Sequence, residues 1–239
     1  LDEMTNELNN RINAAENFST DLVHEIRNPL ASLKSASEII SETTDKAQRE
    51  KLVNILLHDV ERIERLITDY SQMLKDEVAI TNEQMEIIDL KLIATSVVDD
   101  FNSIHNSKNG INIKLNSNGS TNYNILGIEN RIEQIIANLL DNSISFSREN
   151  QTIEVVLLED KKEKNVILSV IDEGEGFKEN DTAKIFRRFY SNRPNKFGEH
   201  SGLGLNIVKN LVELHNGKIS ASNNVGQKGA IIEIIFPKV

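Results

Sequence analysis

Residues 18–30 read FSTDLVHEIRNPL. One histidine, His24, is followed at once by an acid, Glu25, and then by Asn28 and Pro29. The surrounding residues otherwise carry the apolar spacing of a long amphipathic helix. His24 falls between Leu22 and Ile26, off the apolar stripe, which predicts an exposed imidazole and not a buried structural one. Pro29 removes one helical hydrogen bond, and its ring presses on the carbonyl of Glu25, so the helix is expected to bend beside the histidine. This combination reads as a nucleophile presented on a helix.

Working outward, Leu1, Met4, Leu8, Arg11, Ala15, Phe18 and Leu22 step by alternating threes and fours, with Arg11 the polar exception. The stripe continues through Ile26, Pro29, Leu33, Ala36 and Ile40. Two successive steps of four, ending at Ile26, form a stutter of the kind that locally unwinds a supercoil. A polar stretch at 41–48, SETTDKAQ, reads as a turn. A second helix follows on Val53, Leu56, Val60, Ile63, Ile67, Tyr70 and Leu74. Two such helices make an antiparallel hairpin, and a second copy would cover the remaining apolar stripe to give a homodimeric four-helix bundle. The expected division is an entering signalling helix at 1–17, the hairpin at 18–76, a linker at 77–84 and a second domain at 85–239.

From Met85 onward, β and α patterns mix. Strands are expected at Ile87–Ile88, Ile111–Leu115, Ile153–Leu158, Val166–Ile171, Ile219–Ser222 and Ala230–Phe236. Helices are expected from Asp89, a candidate N-cap, to about Ile104, from Glu129 to about Ser145, and from Leu203 to His215. Ser117–Tyr123 reads as a polar loop. The pattern predicts helices layered on one face of a mixed sheet, an α+β sandwich. The 239 residues suffice for two modest domains, and the net charge of -10 excludes a general nucleic-acid binder. There are no cysteines, so disulfides and thiolate metal sites are ruled out. No apolar run approaches membrane-spanning length. The chain opens at Leu1 inside a heptad pattern, which fits the cytoplasmic part of a longer, membrane-anchored protein.

Three clusters in the second half suit a phosphate ligand. DEGEGF at 172–177 follows an apolar strand, and Gly202-Leu203-Gly204-Leu205 opens a helix. Glycine permits close backbone approach, and a helix N-terminus offers free N–H groups to anions. Asn138 and Asn142 lie four apart on one face of an apolar helix, and neutral amide oxygens suit Mg²⁺, which borrows further oxygens from nucleotide phosphates. Phe146, one turn further on, could pack on a base.

Together these stretches resemble the cytoplasmic catalytic core of a bacterial two-component sensor histidine kinase. FSTDLVHEIRNPL is similar to the H box, NLLDNSISFS to the N box, DEGEGF to the G1 box, IFRRFYS to the F box and SGLGLNIV to the G2 box, in the family's order. FYSNRP, GEHSGLGL and HDVERIERLI look most like the ChvG/ExoS branch. The resemblance implies a phosphotransfer and dimerisation hairpin followed by a Bergerat ATP-binding domain, with ATP and Mg²⁺ as cofactors. It implies that His24 accepts the γ-phosphoryl group through Nε2 and that Glu25 is the adjacent base, orienting the ring through Nδ1–H. It implies further that an aspartate in a response regulator's receiver domain takes the group from His24. Asn28 would position water to dephosphorylate that regulator. Asn142, with Asn138 beside it, would hold Mg²⁺, and Asp172 would accept the adenine amino group. Gly174 and Gly176 would clear room for the base and sugar, and Gly202 and Gly204 would turn the backbone toward the phosphates. Arg188 and Arg193 would reach the triphosphate from a lid at 177–201.

Two departures stand out. Ser145 occupies the place of a lysine that many relatives carry, so one phosphate contact is missing. The last hairpin reads GQKGA, a one-residue insertion expected to be harmless. His58, His105, His200 and His215 are expected to be structural or on the surface, with His215 a cation at a helix end. Two rival readings are a degenerate dimeric scaffold or phosphatase, and a Bergerat ATPase of the chaperone or topoisomerase kind. The first is opposed by the full set of nucleotide motifs, the second by the H box.

Overall fold

The computed structural model describes residues 2–80, 83–119, 122–178, 182–190, 202–224, 226 and 228–239, with the side chains of 2–18, 72–80 and 106–109 outside that description. The chain divides into two compact units, Leu1–Val78 with Arg188–Leu203, and Ala79–Arg187 with Gly204–Val239.

In the first unit, α1 runs Asp2–Glu42 and α2 runs Lys46–Ile80. Only Thr43–Asp45 separate them, a tighter turn than the polar stretch led one to expect. Asp45 closes it: its Oδ1 accepts from the Ala47 N–H at 2.9 Å, an Asx-type cap on α2. The helix also continues four residues into the span read as linker, because loss of apolar period at Asp76 is no stop signal without a Gly or Pro. Pro29 lies inside α1, and it is buried, as are Ala36 and Leu66 along the seam of the hairpin.

The second unit begins with β1 (Glu86–Asp89) and α3 (Leu90–Asn109). Asp89 caps α3 as expected, its Oδ1 accepting from the Lys91 N–H at 2.9 Å. Next come β2 (Asn112–Ser117), β3 (Asn124–Gly127) and α4 (Glu129–Phe146). Strands β4 (Thr152–Asp160) and β5 (Asn165–Ile171) lead to a 3-10 turn at Thr182–Phe186. Helix α5 (Gly204–Leu214), β6 (Lys218–Asn223) and β7 (Ala230–Pro237) complete the chain. The main sheet has the order β2-β4-β5-β7-β6, with β2 and β4 parallel and the other neighbours antiparallel. β3, which the sequence did not announce, pairs antiparallel with β1 in a separate two-stranded ribbon.

Strand alternation sends one face of the main sheet inward. Val155 pairs Val170, Leu157 pairs Leu168, and Val170 pairs Ile232, all buried. Ile132, Ile135, Ile136, Leu139 and Leu140 of α4, with Val208 and Val212 of α5, cover that face. This is the expected layer of helices on a mixed sheet. It holds α4 and α5 side by side, so the chemistry carried at the C-terminal half of α4 meets the start of α5.

Candidate functional sites

Each unit carries one site. In the helical unit His24 is exposed, as its place off the stripe predicted. It makes no hydrogen bond or ion pair with the described residues. Asn28, one turn on, is also exposed. Glu25 is turned elsewhere: its Oε2 accepts from Arg62 Nη2 of α2 at 3.1 Å in a partly buried ion pair. The helix explains this, since successive side chains diverge by about 100° and do not face each other. Thus Glu25, expected to orient the His24 ring, here ties α1 to α2.

In the second unit the nucleotide-type site is built around Asp172, which is 5% exposed. The end of β5 delivers it, and its Oδ1 accepts from the N–H groups of Gly174 at 2.9 Å and Ala230 at 3.1 Å. Its backbone N–H donates to the Ala230 carbonyl at 3.1 Å. With Oδ1 so held, Oδ2 remains to accept from an incoming amino group. Burial pushes the Asp172 carboxyl above its ordinary pKa, and the Ala230 and Gly174 hydrogen bonds oppose that shift.

The glycines around it are there for room. A Cβ on Gly174 would stand 2.9 Å from Asp172 Oδ1 and 3.0 Å from the Phe146 carbonyl oxygen. Gly174 therefore lets the loop lie against the end of α4. Gly176 has φ +74° and faces the Asn223 side chain. Asn223 accepts from the Phe177 N–H at 2.6 Å and donates to the Phe177 carbonyl at 2.9 Å, pinning the loop to β6. Asn138 and Asn142 are half-buried on α4. A Cβ on Gly204 would lie 3.9 Å from Asn138 Oδ1, so the start of α5 sits beside the amide pair. The first N–H groups of α5 have no intrahelical acceptors. Phe146 is 43% exposed at the end of the same helix. One unit thus brings together Asn138, Asn142, Phe146, Asp172, Gly174, Gly176 and Gly204.

Other expected residues fall elsewhere. Arg188 and Gly202 belong to Arg188–Leu203, which groups with the helical unit. Gly202 has φ +74°, and a Cβ there would meet the Phe189 carbonyl carbon at 2.7 Å. Arg193, His200 and most of the lid lie outside the described residues. Ser145 Oγ donates back to the Asn142 carbonyl at 2.5 Å.

Two residues were missed by sequence reasoning. Gly229, within the hairpin insertion, has φ +127°, and a Cβ would fall 1.8 Å from the Asp172 carbonyl oxygen. It is the floor under Asp172, and its only signal was a glycine directly before a strand. Asn223 gave no signal beyond a polar residue at a strand end. His215 is structural, as read, but it does not carry the charge that its place at a helix end favours. It is buried and neutral, not a cation: Nδ1 donates to the Leu211 carbonyl at 2.6 Å and Nε2 accepts from the Ile128 N–H at 3.0 Å. Burial lowers its pKa, against the raising effect of the Leu211 bond.

Comparison with known proteins assigns a family to each unit. Residues 14–78 match the His Kinase A (phospho-acceptor) domain, and residues 127–239 match the histidine kinase-, DNA gyrase B-, and HSP90-like ATPase family. Sensor protein ChvG of Agrobacterium fabrum is 35% identical over 237 residues, covering 97% of this chain and 40% of that protein. Sensor protein KdpD of Clostridium acetobutylicum is 33% identical over 229 residues, covering 93% of this chain and 24% of that protein. The chain therefore spans less than half the length of these curated relatives. Among solved structures, histidine kinase ThkA in complex with response regulator protein TrrA has the same fold, with a TM-score of 0.67 at 22% identity over 97% of this chain and 64% of that one. The helical hairpin that carries His24, the α/β unit built around Asp172 and these likenesses have one explanation: the chain belongs to the sensor histidine kinases, with a phospho-acceptor hairpin followed by a Bergerat-type ATPase domain.

Proposed function

We propose that this chain transfers the γ-phosphoryl group of ATP to Nε2 of His24 and passes it on to an aspartate of a response regulator. The carrying observation is the pairing of an exposed His24 on one unit with the buried, N–H-anchored Asp172 on the other. Asp172 selects the adenine amino group, Gly174 and Gly176 admit the base and sugar, and the start of α5 at Gly204 receives phosphate oxygens. Gly202, Arg188 and Arg193 serve the phosphates from the lid. Asn142 and Asn138 would hold Mg²⁺: two neutral amides on one helix face fit an ion that takes its remaining oxygens from phosphate. Bound there, the ion would offset phosphate charge, and the transfer is otherwise one of positioning and electrostatics. Glu25, once free of Arg62, orients the ring, and Asn28 supports dephosphorylation of the regulator.

The working protein is a homodimer. Val23, Leu30, Val53, Leu57, Val60 and Ile67 leave apolar surface exposed along the hairpin, which a second copy would cover. Residues 1–17 form the signalling helix, 18–76 the phosphotransfer hairpin, 77–84 the linker, whose first four residues continue α2, and 85–239 the ATP-binding domain. The parent protein is anchored in the membrane, with this part on its cytoplasmic side. The test is a titration with ATP and GTP followed by addition of a receiver domain. Wild type should prefer ATP and hand its label to the receiver as an acyl phosphate. Asp172→Asn should weaken ATP at least about tenfold, some 1.4 kcal/mol, with its unfolding transition retained. Equal ATP affinity in the variant would refute the adenine contact.

A further inference from the structure

The ion pair between Glu25 and Arg62 has an acidic neighbour on α2. Asp59 lies one turn before Arg62 on α2, at the i, i+3 spacing that brings side chains together. It is 8% exposed, and its Oδ2 is buried without a hydrogen-bond partner. A buried carboxylate oxygen in that condition is costly and calls for a cation within reach. Arg62, three residues on along α2, carries a guanidinium whose side chain is 13% exposed and held by Glu25 at 3.1 Å. Glu25 in turn is the residue immediately after the exposed His24.

We propose that Arg62 is a positioning residue with two acidic seats, Glu25 and Asp59, and that its move to Asp59 releases Glu25 to the imidazole of His24. The proposal rests on the reading of Glu25 as the group that orients the ring. In the arrangement seen here Arg62 occupies Glu25, and His24 has no hydrogen-bond partner among the described residues. Transfer of the guanidinium one turn along α2 would satisfy Asp59 and free the Glu25 carboxylate in the same motion. Glu25 could then swing to accept from Nδ1–H, leaving Nε2 with its lone pair toward the phosphoryl donor. Relative sliding or rotation of α1 and α2 would decide which acid Arg62 meets.

The test uses the full chain with saturating ATP, and reads initial autophosphorylation rate, KM for ATP and the ¹⁵N signature of the His24 ring. Arg62→Gln should raise kcat roughly threefold or more with KM unchanged, and increase the Nε2-lone-pair tautomer. That gain should vanish in Arg62→Gln/Glu25→Gln. Arg62→Lys, which keeps the cation, should retain most of the restraint. Asp59→Asn removes the second seat and should slow the reaction, while Asp59→Asn/Arg62→Gln should match Arg62→Gln alone. An unchanged or lower rate in a folded, dimeric Arg62→Gln overturns the proposal, provided Glu25→Gln is still inactive. Full activity in Glu25→Gln instead refutes the underlying reading of Glu25. If Arg62→Gln does not fold, Asp59→Asn decides alone: slower turnover supports the two-seat device, and an unchanged or faster rate overturns it.

Discussion

Gly229 shows how little space separates a working site from a blocked one. Its missing Cβ is what allows the Asp172 carbonyl to lie against the hairpin, since the nearest approach would be 1.8 Å. Gly229→Ala should therefore destabilise the ATP-binding domain by about 2–3 kcal/mol, within the range for overpacking, and weaken nucleotide binding with it. Urea unfolding and an ATP titration check both. Nothing local in GQKGA announces this, because the clash is with a strand end far earlier in the chain. His215 was misread for a related reason. A helix-end position favours a cation, yet the ring is 2% exposed and its Nε2 accepts a backbone hydrogen bond that only the neutral form can make. Its folded pKa lies below the ordinary value, so below about pH 6.5 the unfolded chain binds more protons than the folded one. The contribution is fully present above that pH and is lost as pH falls through it. Thermal melts should show a midpoint that drops between pH 7.5 and 5.5, and His215→Gln should flatten that slope while lowering the midpoint at pH 7.5. By contrast the exposure of His24 and the nearness of Gly174 to Asp172 were legible, because each sits in a short motif whose spacing reflects local geometry.

At the scale of elements, periodicity found each α-helix among the described residues and most of their strands. α4 was the clearest, since its buried apolar residues Ile132, Ile135, Ile136, Leu139 and Leu140 fall on one face. β3 was missed: Asn124–Gly127 is four residues long and lies between a polar loop and a helix, too short to display alternation. Only its pairing with β1, with Ile88 opposite Ile125, makes it a strand. Helix ends were also weakly written. SETTDKAQ could serve as turn or helix surface, and Asp45 decided the matter by capping α2. Asp89 plays the same part for α3. Asp89→Ala should cost about 1 kcal/mol of stability, seen in denaturant unfolding, without changing ATP affinity. A larger loss in affinity than in stability would mean that α3 does more than scaffold the sheet.

For the whole molecule, the family motifs in order carried the reading further than composition could. They named an acceptor on a helical unit and a nucleotide pocket on an α/β unit; His24 lies in the helical unit and Asp172 in the α/β unit, while Arg188 and Gly202 group with the helical one. What they could not express is where a side chain points. Glu25 is adjacent to His24 in sequence but paired with Arg62 in space, and that choice depends on the packing of two helices. The account as a whole depends on His24 being the acceptor. Incubation with γ-labelled ATP and Mg²⁺ followed by phosphopeptide mapping tests this most directly. The account predicts base-stable, acid-labile label on the peptide containing His24, and none in His24→Ala that still binds ATP. Label persisting in His24→Ala, or mapping to another residue, would contradict it.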